Sequence, residues 1–371
     1  MELPPFALDH WLAGHEFATP PISYNLASST GPAWTLGDVL ALGSEGSQLL
    51  ALGDVPVTYA PPEGRHELRQ AIGEFHGVDP DWVVVTTGAS EALSALLCLA
   101  SKPGGNLLIP SPAFPAFGVM AQAWGLKTIS YALPREDGFR QSAADVLAAV
   151  DHNTVAALVN TPHNPTGSVM PRAETARLAA ELKARGVPLI VDEVYHPLYF
   201  GDAVPSAAGI DNVIVMTDMS KALSLAGLRM GWIIDADPER RKRIIDARSY
   251  FTICSSPILE AIAIHALRNR TQLLARLTAV ASRNLTALSG FMTRFADTFS
   301  WVAPAGGTVA FPWLNNGRDS RPFCEALAAR GVLIVPGDCF ATRDHMRIGF
   351  GAQAAGYDAA LNIMAELSAR N

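Results

Sequence analysis

Residues 217–232 read TDMSKALSLAGLRMGW. They follow an apolar, strand-like run, Val213-Ile-Val-Met216, and set one lysine, Lys221, just past its end. An arginine, Arg229, comes eight residues later. A lysine at the mouth of a sheet can hold an aldehyde as an imine, while a neighbouring arginine fixes an anion. Taken alone the pattern decides little, because a lysine after a strand usually ends in solvent.

Two upstream segments add weight. Asn160-Thr-Pro-His-Asn-Pro-Thr-Gly167 sits between the apolar run Val155–Val159 and a helix-like segment, Pro171–Arg185. Its two prolines, glycine and two asparagines describe an ordered turn. Val191-Asp-Glu-Val-Tyr-His-Pro197 puts two acids and a phenol at the end of another buried run. Separately they read as a strand-to-helix loop and a surface loop.

In this order and spacing, with a late Met346-Arg-Ile-Gly349, the segments resemble the fold-type I pyridoxal-phosphate enzymes. More narrowly they resemble the class I and II aminotransferases. The resemblance runs from Ser28 to Phe350. It implies a transfer of the amino group of an L-amino acid to a 2-oxo acid through a Schiff base on Lys221.

What the resemblance implies goes residue by residue. Asp192 matches the aspartate beside the cofactor's ring nitrogen, with Glu193 its rival on chemistry alone. Tyr195 and Asn164 match the groups that reach O3′, and Asn164 also helps to hold the substrate. Gly88, Ala89 and Ser90, in Thr86-Thr-Gly-Ala-Ser-Glu-Ala92, match a phosphate cup at a helix start. On local sequence Ser90 could equally be a plain helix cap. Ser220 and Arg229 match further phosphate contacts, and Phe114 the aromatic stacked on the ring. Arg347 matches the arginine that grips the substrate's α-carboxylate, a task suited to its planar fork. Gly31 matches, loosely, a backbone donor to that carboxylate. Tyr59 matches a tyrosine that reaches the neighbouring subunit's phosphate, which implies a homodimer with shared sites. Asp218 departs from the family, where Ser or Thr often stands three before the lysine. An acid cannot bind phosphate that way, so it is expected to point elsewhere.

Composition agrees with this reading. Hydrophobic residues make up 49% and charged residues 17% of 371, which fits an α/β protein with buried parallel strands. A net charge of -7 argues against a nucleic-acid surface. The basic run Arg240-Arg-Lys-Arg243 reads as a solvated helix face. The start, MELPPFALDHWL, lacks the form of a secretory signal, and no run is long enough to span a membrane. Four scattered cysteines and nine histidines show no metal or disulfide spacing, so reduced thiols, no metal and a cytoplasmic location are expected.

Apolar runs recur at Trp82–Val85, Asn106–Ile109, Thr128–Ala132, Val155–Val159, Leu189–Val191, Val213–Met216 and Met230–Ile234, with helical stretches between some of them. This predicts a mostly parallel central sheet covered by helices, with ligands beyond the strands' carboxyl ends. Later residues predict a smaller α+β domain. It opens with a helical region, Ser256–Arg294, broken near Asn269 and Ser289-Gly290. It then has strands at Phe299–Val302, Thr308–Trp313, Val332–Pro336 and Met346–Phe350, and a closing helix over Ala359–Arg370. The expected division is an arm, 1–36, that joins the small domain; a cofactor-binding domain, 37–250; and the small domain, 251–371.

Other chemistry on the same fold stays open. β-Elimination and cyclisation use the same lysine, and SSTGPAWTLGDVL resembles the start of an enzyme that cyclises a hydroxyarginine to capreomycidine. A cofactor-sensing regulator is a third class, disfavoured by the absence of a basic patch. Trp11, His15, Tyr24 and the stretch Tyr250–Ser255 are candidates for reading the substrate's side chain.

Overall fold

A computed structural model of the chain describes residues 4–16, 19, 21–43 and 52–369. Seven strands form one sheet: β1 (Val83–Thr86), β2 (Asn106–Ser111), β3 (Lys127–Ala132), β4 (Thr154–Asn160), β5 (Leu189–Asp192), β6 (Val213–Asp218) and β7 (Gly231–Asp235). Their order is β1-β7-β6-β5-β4-β2-β3. Only β7 runs against its neighbours, β1 and β6. The other pairs are parallel. All seven runs expected from the sequence are strands.

Parallel strands need crossovers, and the crossover helices cover both faces, so the strands carry apolar residues on both sides. Every residue of β1, β5, β6 and β7 is buried. Register then aligns the strand ends. Asn160 pairs with Asp192, and Asp192 pairs with Met216, two residues before β6 ends. The polar ends of β4, β5 and β6 are therefore brought to one edge by the ladder itself.

The remaining strands are short: Tyr24–Asn25, Phe299–Ser300, Val309–Ala310, Trp313–Leu314, Val332–Leu333, Val335–Pro336 and Met346–Gly349. Tyr24–Asn25 pairs in parallel with Val332–Leu333, which ties the arm to the C-terminal strands. The arm also forms a helix, Ala7–Glu16, which the sequence pattern did not show. Its buried face consists of Leu8 and Trp11, too few positions to set a period. Trp11 is buried, its Nε1 donates to the Ile334 carbonyl at 2.9 Å, and the Arg321 guanidinium lies 5.1 Å from its ring centre.

The helical region divides into Pro257–Arg268 and Arg270–Arg294, broken at Asn269 as expected. The second expected break, at Ser289-Gly290, is absent. The buried stripe Leu273, Leu277, Val280, Ala281, Asn284, Leu288, Phe291 continues through it. Its packing outweighs the ~1 kcal/mol that a glycine costs inside a helix. Helix Pro257–Arg268 packs on helix His66–His76, and the Arg65 N–H donates to Glu260. The closing helix is Tyr357–Ser368, and the expected end at Arg370 lies outside the described residues. Among the described residues, no helix is long and apolar enough to cross a membrane.

Trp11 gives a direct test of the arm. Trp11→Ala removes a buried indole and should cost about 3–5 kcal/mol. Trp11→Phe loses mainly the bond to Ile334 and should cost about 1 kcal/mol. Denaturant unfolding with the two variants side by side checks this, and equal losses would contradict it.

Candidate active site

A cavity of about 200 Å³ opens at the carboxyl edge of the sheet. Its lining includes Ala89, Ser90, Phe114, Asn164, Asp192, Tyr195, Ser220, Lys221 and Arg229. Nine expected site residues, drawn from five separate stretches of chain, thus meet around one space.

Asp192 ends β5 and is 5% exposed. Its Oδ1 accepts the Val194 N–H at 3.1 Å. Burial pushes the carboxyl from its ordinary 3.8 up to about 7, with the charges of Asp218 and Glu193 adding to the rise and Lys221 opposing it. Glu193 faces away from the cavity: its oxygens accept the Ser206 hydroxyl and the Ala207 N–H, each at 2.6 Å. Alternation along an extended chain separates the two acids, and only Asp192 lines the cavity.

Lys221 donates to the Ser29 hydroxyl at 2.9 Å. Burial draws its ammonium below the usual lysine value, Arg347 and Arg229 help, and Asp218 and Asp192 oppose. Tyr195 is 1% exposed, and its hydroxyl lacks a well-formed hydrogen bond, although Ser29 and Thr308 lie near it. Burial raises its phenol above the usual range.

Arg347 stands on strand Met346–Gly349 and is 1% exposed. Nη1 donates to the Asn164 side-chain oxygen at 3.1 Å and Nη2 to the Ala27 carbonyl at 2.7 Å, while Nε has no partner among the described residues. The Asn164 N–H is itself held by the Asn160 side chain at 2.7 Å. Asn160, whose amide also donates to the Asp192 carbonyl, lines the cavity and was not anticipated.

The helix Ala89–Ala100 begins at the cavity with Gly88 as its cap at φ +80°. A Cβ there would fall 2.4 Å from Arg229 Nη2, so glycine both accepts the left-handed backbone and admits the guanidinium. Arg229 Nη1 reaches the Ser220 hydroxyl at 3.4 Å and the Ala226 carbonyl at 3.0 Å. Phe114 caps helix Pro115–Ala123, and its ring packs edge-on against Phe117.

Asp218 contradicts the expectation that it points elsewhere. It lines the cavity and accepts the Ala89 N–H at 3.2 Å, the Ser220 N–H at 2.8 Å and the Ser220 hydroxyl at 2.9 Å. The reason is local: a carboxylate ending β6 beside a helix N-terminus finds donors and a favourable dipole there.

Some expected residues lie outside this lining. Gly31 packs against Ser224, whose Oγ is 1.9 Å from where a glycine-31 Cβ would stand, and it lines a neighbouring pocket of about 610 Å³. An arm residue that was not anticipated, Ser29, reaches Lys221; the sequence carries no distinguishing signal for it. Trp11, His15, Tyr24 and residues 250–255 are absent from the lining; Leu93, Ala116, Phe117, Met120 and Val194 supply its apolar part. Tyr59 is 81% exposed, in a loop that contributes nothing to the cavity within one chain.

Similarity to known proteins agrees with this geometry. The family model "Aminotransferase class I and II" matches residues 47–363. Capreomycidine synthase of Streptomyces vinaceus is 30% identical over 354 residues, 94% of this chain and 90% of its own length. Valine–pyruvate aminotransferase of Mycobacterium tuberculosis is 29% identical over 391 residues, covering 97% and 95%. A solved structure of a PLP-dependent aminotransferase from Streptococcus suis superposes with a TM-score of 0.91 at 25% identity, covering 100% and 99%. With a half-buried lysine, a buried aspartate and a helix start facing one cavity, the chain belongs to the class I and II aminotransferase family and is a pyridoxal-phosphate-dependent enzyme.

Proposed function

We propose that the chain moves the amino group of an L-amino acid to a 2-oxo acid, with Lys221 as the covalent anchor of pyridoxal phosphate. The observation that carries this is the cavity in which Lys221 faces Asp192, Tyr195 and Asn164. Its polar groups fit the cofactor. Asp192 has one oxygen engaged by Val194 and is driven toward protonation by burial, so a cationic ring nitrogen would suit it. The Tyr195 hydroxyl, short of a well-formed bond, would suit a phenolic oxygen. Gly88, Ala89, Ser90, Ser220 and Arg229 would hold the phosphate end, and Phe114 would cover the ring.

When bound, the cofactor supplies an electron sink for the charge left as a proton leaves the substrate's Cα. Lys221, once freed, is the base for that proton. Its burial and its arginine neighbours lower its proton affinity toward a useful range. Arg347 presents an unpartnered Nε and a fork steadied by Asn164 and Ala27, which fits an α-carboxylate. The same reading makes Tyr59 a contribution to a second subunit's phosphate site, so the working form is a homodimer, in the cytoplasm. It also assigns residues 1–36 to the small domain, 37–250 to the cofactor domain and 251–371 to the small domain.

Borohydride reduction of the loaded enzyme should fix the label on Lys221, as read by peptide mass spectrometry, and label on another lysine would overturn the assignment. Incubation with single amino acids should then yield pyridoxamine phosphate and a 2-oxo acid, whereas pyruvate with ammonia, or a cyclised product, would mean other chemistry.

Asp192 predicts a pH dependence. In the cofactor-free protein its carboxyl holds a proton up to about 7, while unfolded it releases it near 3.8. The folded state thus binds more protons in between, and stability falls as pH rises across that window. The slope per carboxyl is at most ~1.4 kcal/mol per pH unit. Glu193, also pushed up to about 7 by burial, acts in the same direction. Asp192→Asn should remove about half of this slope in urea unfolding measured at several pH values. An unchanged slope would contradict it.

Mixed dimers test the shared site. Tyr59→Arg and Lys221→Ala subunits, each inactive alone, should regain activity on mixing, because one site per mixed dimer keeps both native residues. Mixed dimers that form but stay inactive would refute sharing.

A further inference from the structure

Asp218 is a carboxylate in a place built for an anion from outside. It closes β6, is 8% exposed, and receives three donors: the Ala89 N–H at the start of helix Ala89–Ala100, the Ser220 N–H and the Ser220 hydroxyl. Those donors, with the Arg229 side chain on Ser220, are the ones a phosphate would take. A doubly charged phosphate and a carboxylate cannot both have them, since each donor serves one acceptor well and the two anions repel.

We propose that Asp218 is a built-in competitor for the phosphate end of the cofactor: it satisfies the cup with the chain's own charge and must yield those donors on binding. The inference rests on the assignment of this cavity to pyridoxal phosphate. The consequence is a weakened hold chiefly on phosphate, and a smaller effect on the pyridine ring, which would meet Asp192, Tyr195 and Phe114 and feels the Asp218 charge only through Asp192 and Lys221. Retention then depends more on the covalent anchor at Lys221 than the donors around the cup suggest.

The test compares the parent with Asp218→Asn, nearly the same shape without the charge, and with Asp218→Ser, smaller and a donor. Each full-length protein is stripped of cofactor, checked by its melting curve, and titrated with pyridoxal phosphate and separately with pyridoxal. Release of the cofactor from each loaded enzyme on dilution is followed in parallel. Both variants should bind pyridoxal phosphate about tenfold more tightly, the equivalent of ~1.4 kcal/mol, and release it more slowly. Their affinity for pyridoxal, which lacks the phosphate, should change much less. Inorganic phosphate should raise the melting temperature of the stripped variants and leave that of the parent where it is.

Equal or weaker binding of pyridoxal phosphate by the variants overturns the proposal. So does a parallel gain for pyridoxal, because the effect would not then be at the phosphate. If either variant fails to fold, the other decides, and a clear rise in the stripped parent's melting temperature with phosphate argues against the competitor in the native chain. These outcomes are separate from the Lys221 assignment, which stands or falls on where the borohydride label lies.

Discussion

A carboxyl group at the end of a buried strand is expensive, and the site is organised around that cost. Asp192 leaves water because β5 is covered on both faces, and the only backbone donor it has gained is Val194. The charge is tolerable only near a cation. Lys221 is the near cation the chain supplies, and it is itself half-buried, with a proton affinity below the usual lysine value. Two groups in mutual need, set across a small cavity, define a place where a ligand carrying positive charge on one edge and an electrophile on the other completes both.

The other groups follow from the same edge. Parallel register puts the ends of β4, β5 and β6 side by side, so Asn160, Asp192 and Asp218 arrive together without any loop having to search for them. The helix after β1 then starts at the same space, where its Ala89 N–H meets Asp218, and Gly88 makes room for Arg229. Ser29 and Arg347 come from outside the sheet's own connections and contact the lining residues Lys221 and Asn164.

Much of this was legible in the sequence, for a physical reason. Buried parallel strands must be continuously apolar, so the seven runs announce themselves, and the residues just past each run fall at one edge. That pattern puts Lys221, Asp192, Tyr195, Asn164 and the Gly88 turn near that edge, while the roles expected of them came from the resemblance. Features that depend on packing between distant segments were not. The arm helix hides behind two buried residues, Leu8 and Trp11. The helix through Gly290 persists because its neighbours in space hold it. Ser29 meets Lys221 across 192 positions, a contact that no local pattern announces. Asp218 was judged by charge alone, whereas its position beside a helix start supplies the donors that keep it there.

The contacts around the cavity join segments far apart in the chain. Lys221 and Ser29 are 192 positions apart, and Arg347 reaches Ala27 across 320. Closing loops of that size yields nothing until the final contact forms, which places the site late in the order of folding events. A chain still emerging from the ribosome carries β1 to β7, with Lys221 and Asp192, before residue 347 is made, so on the proposed roles it has no carboxylate grip until Arg347 and the arm have met. On those roles the catalytic pair belongs to the middle of the chain, and the hold on substrate to its two ends.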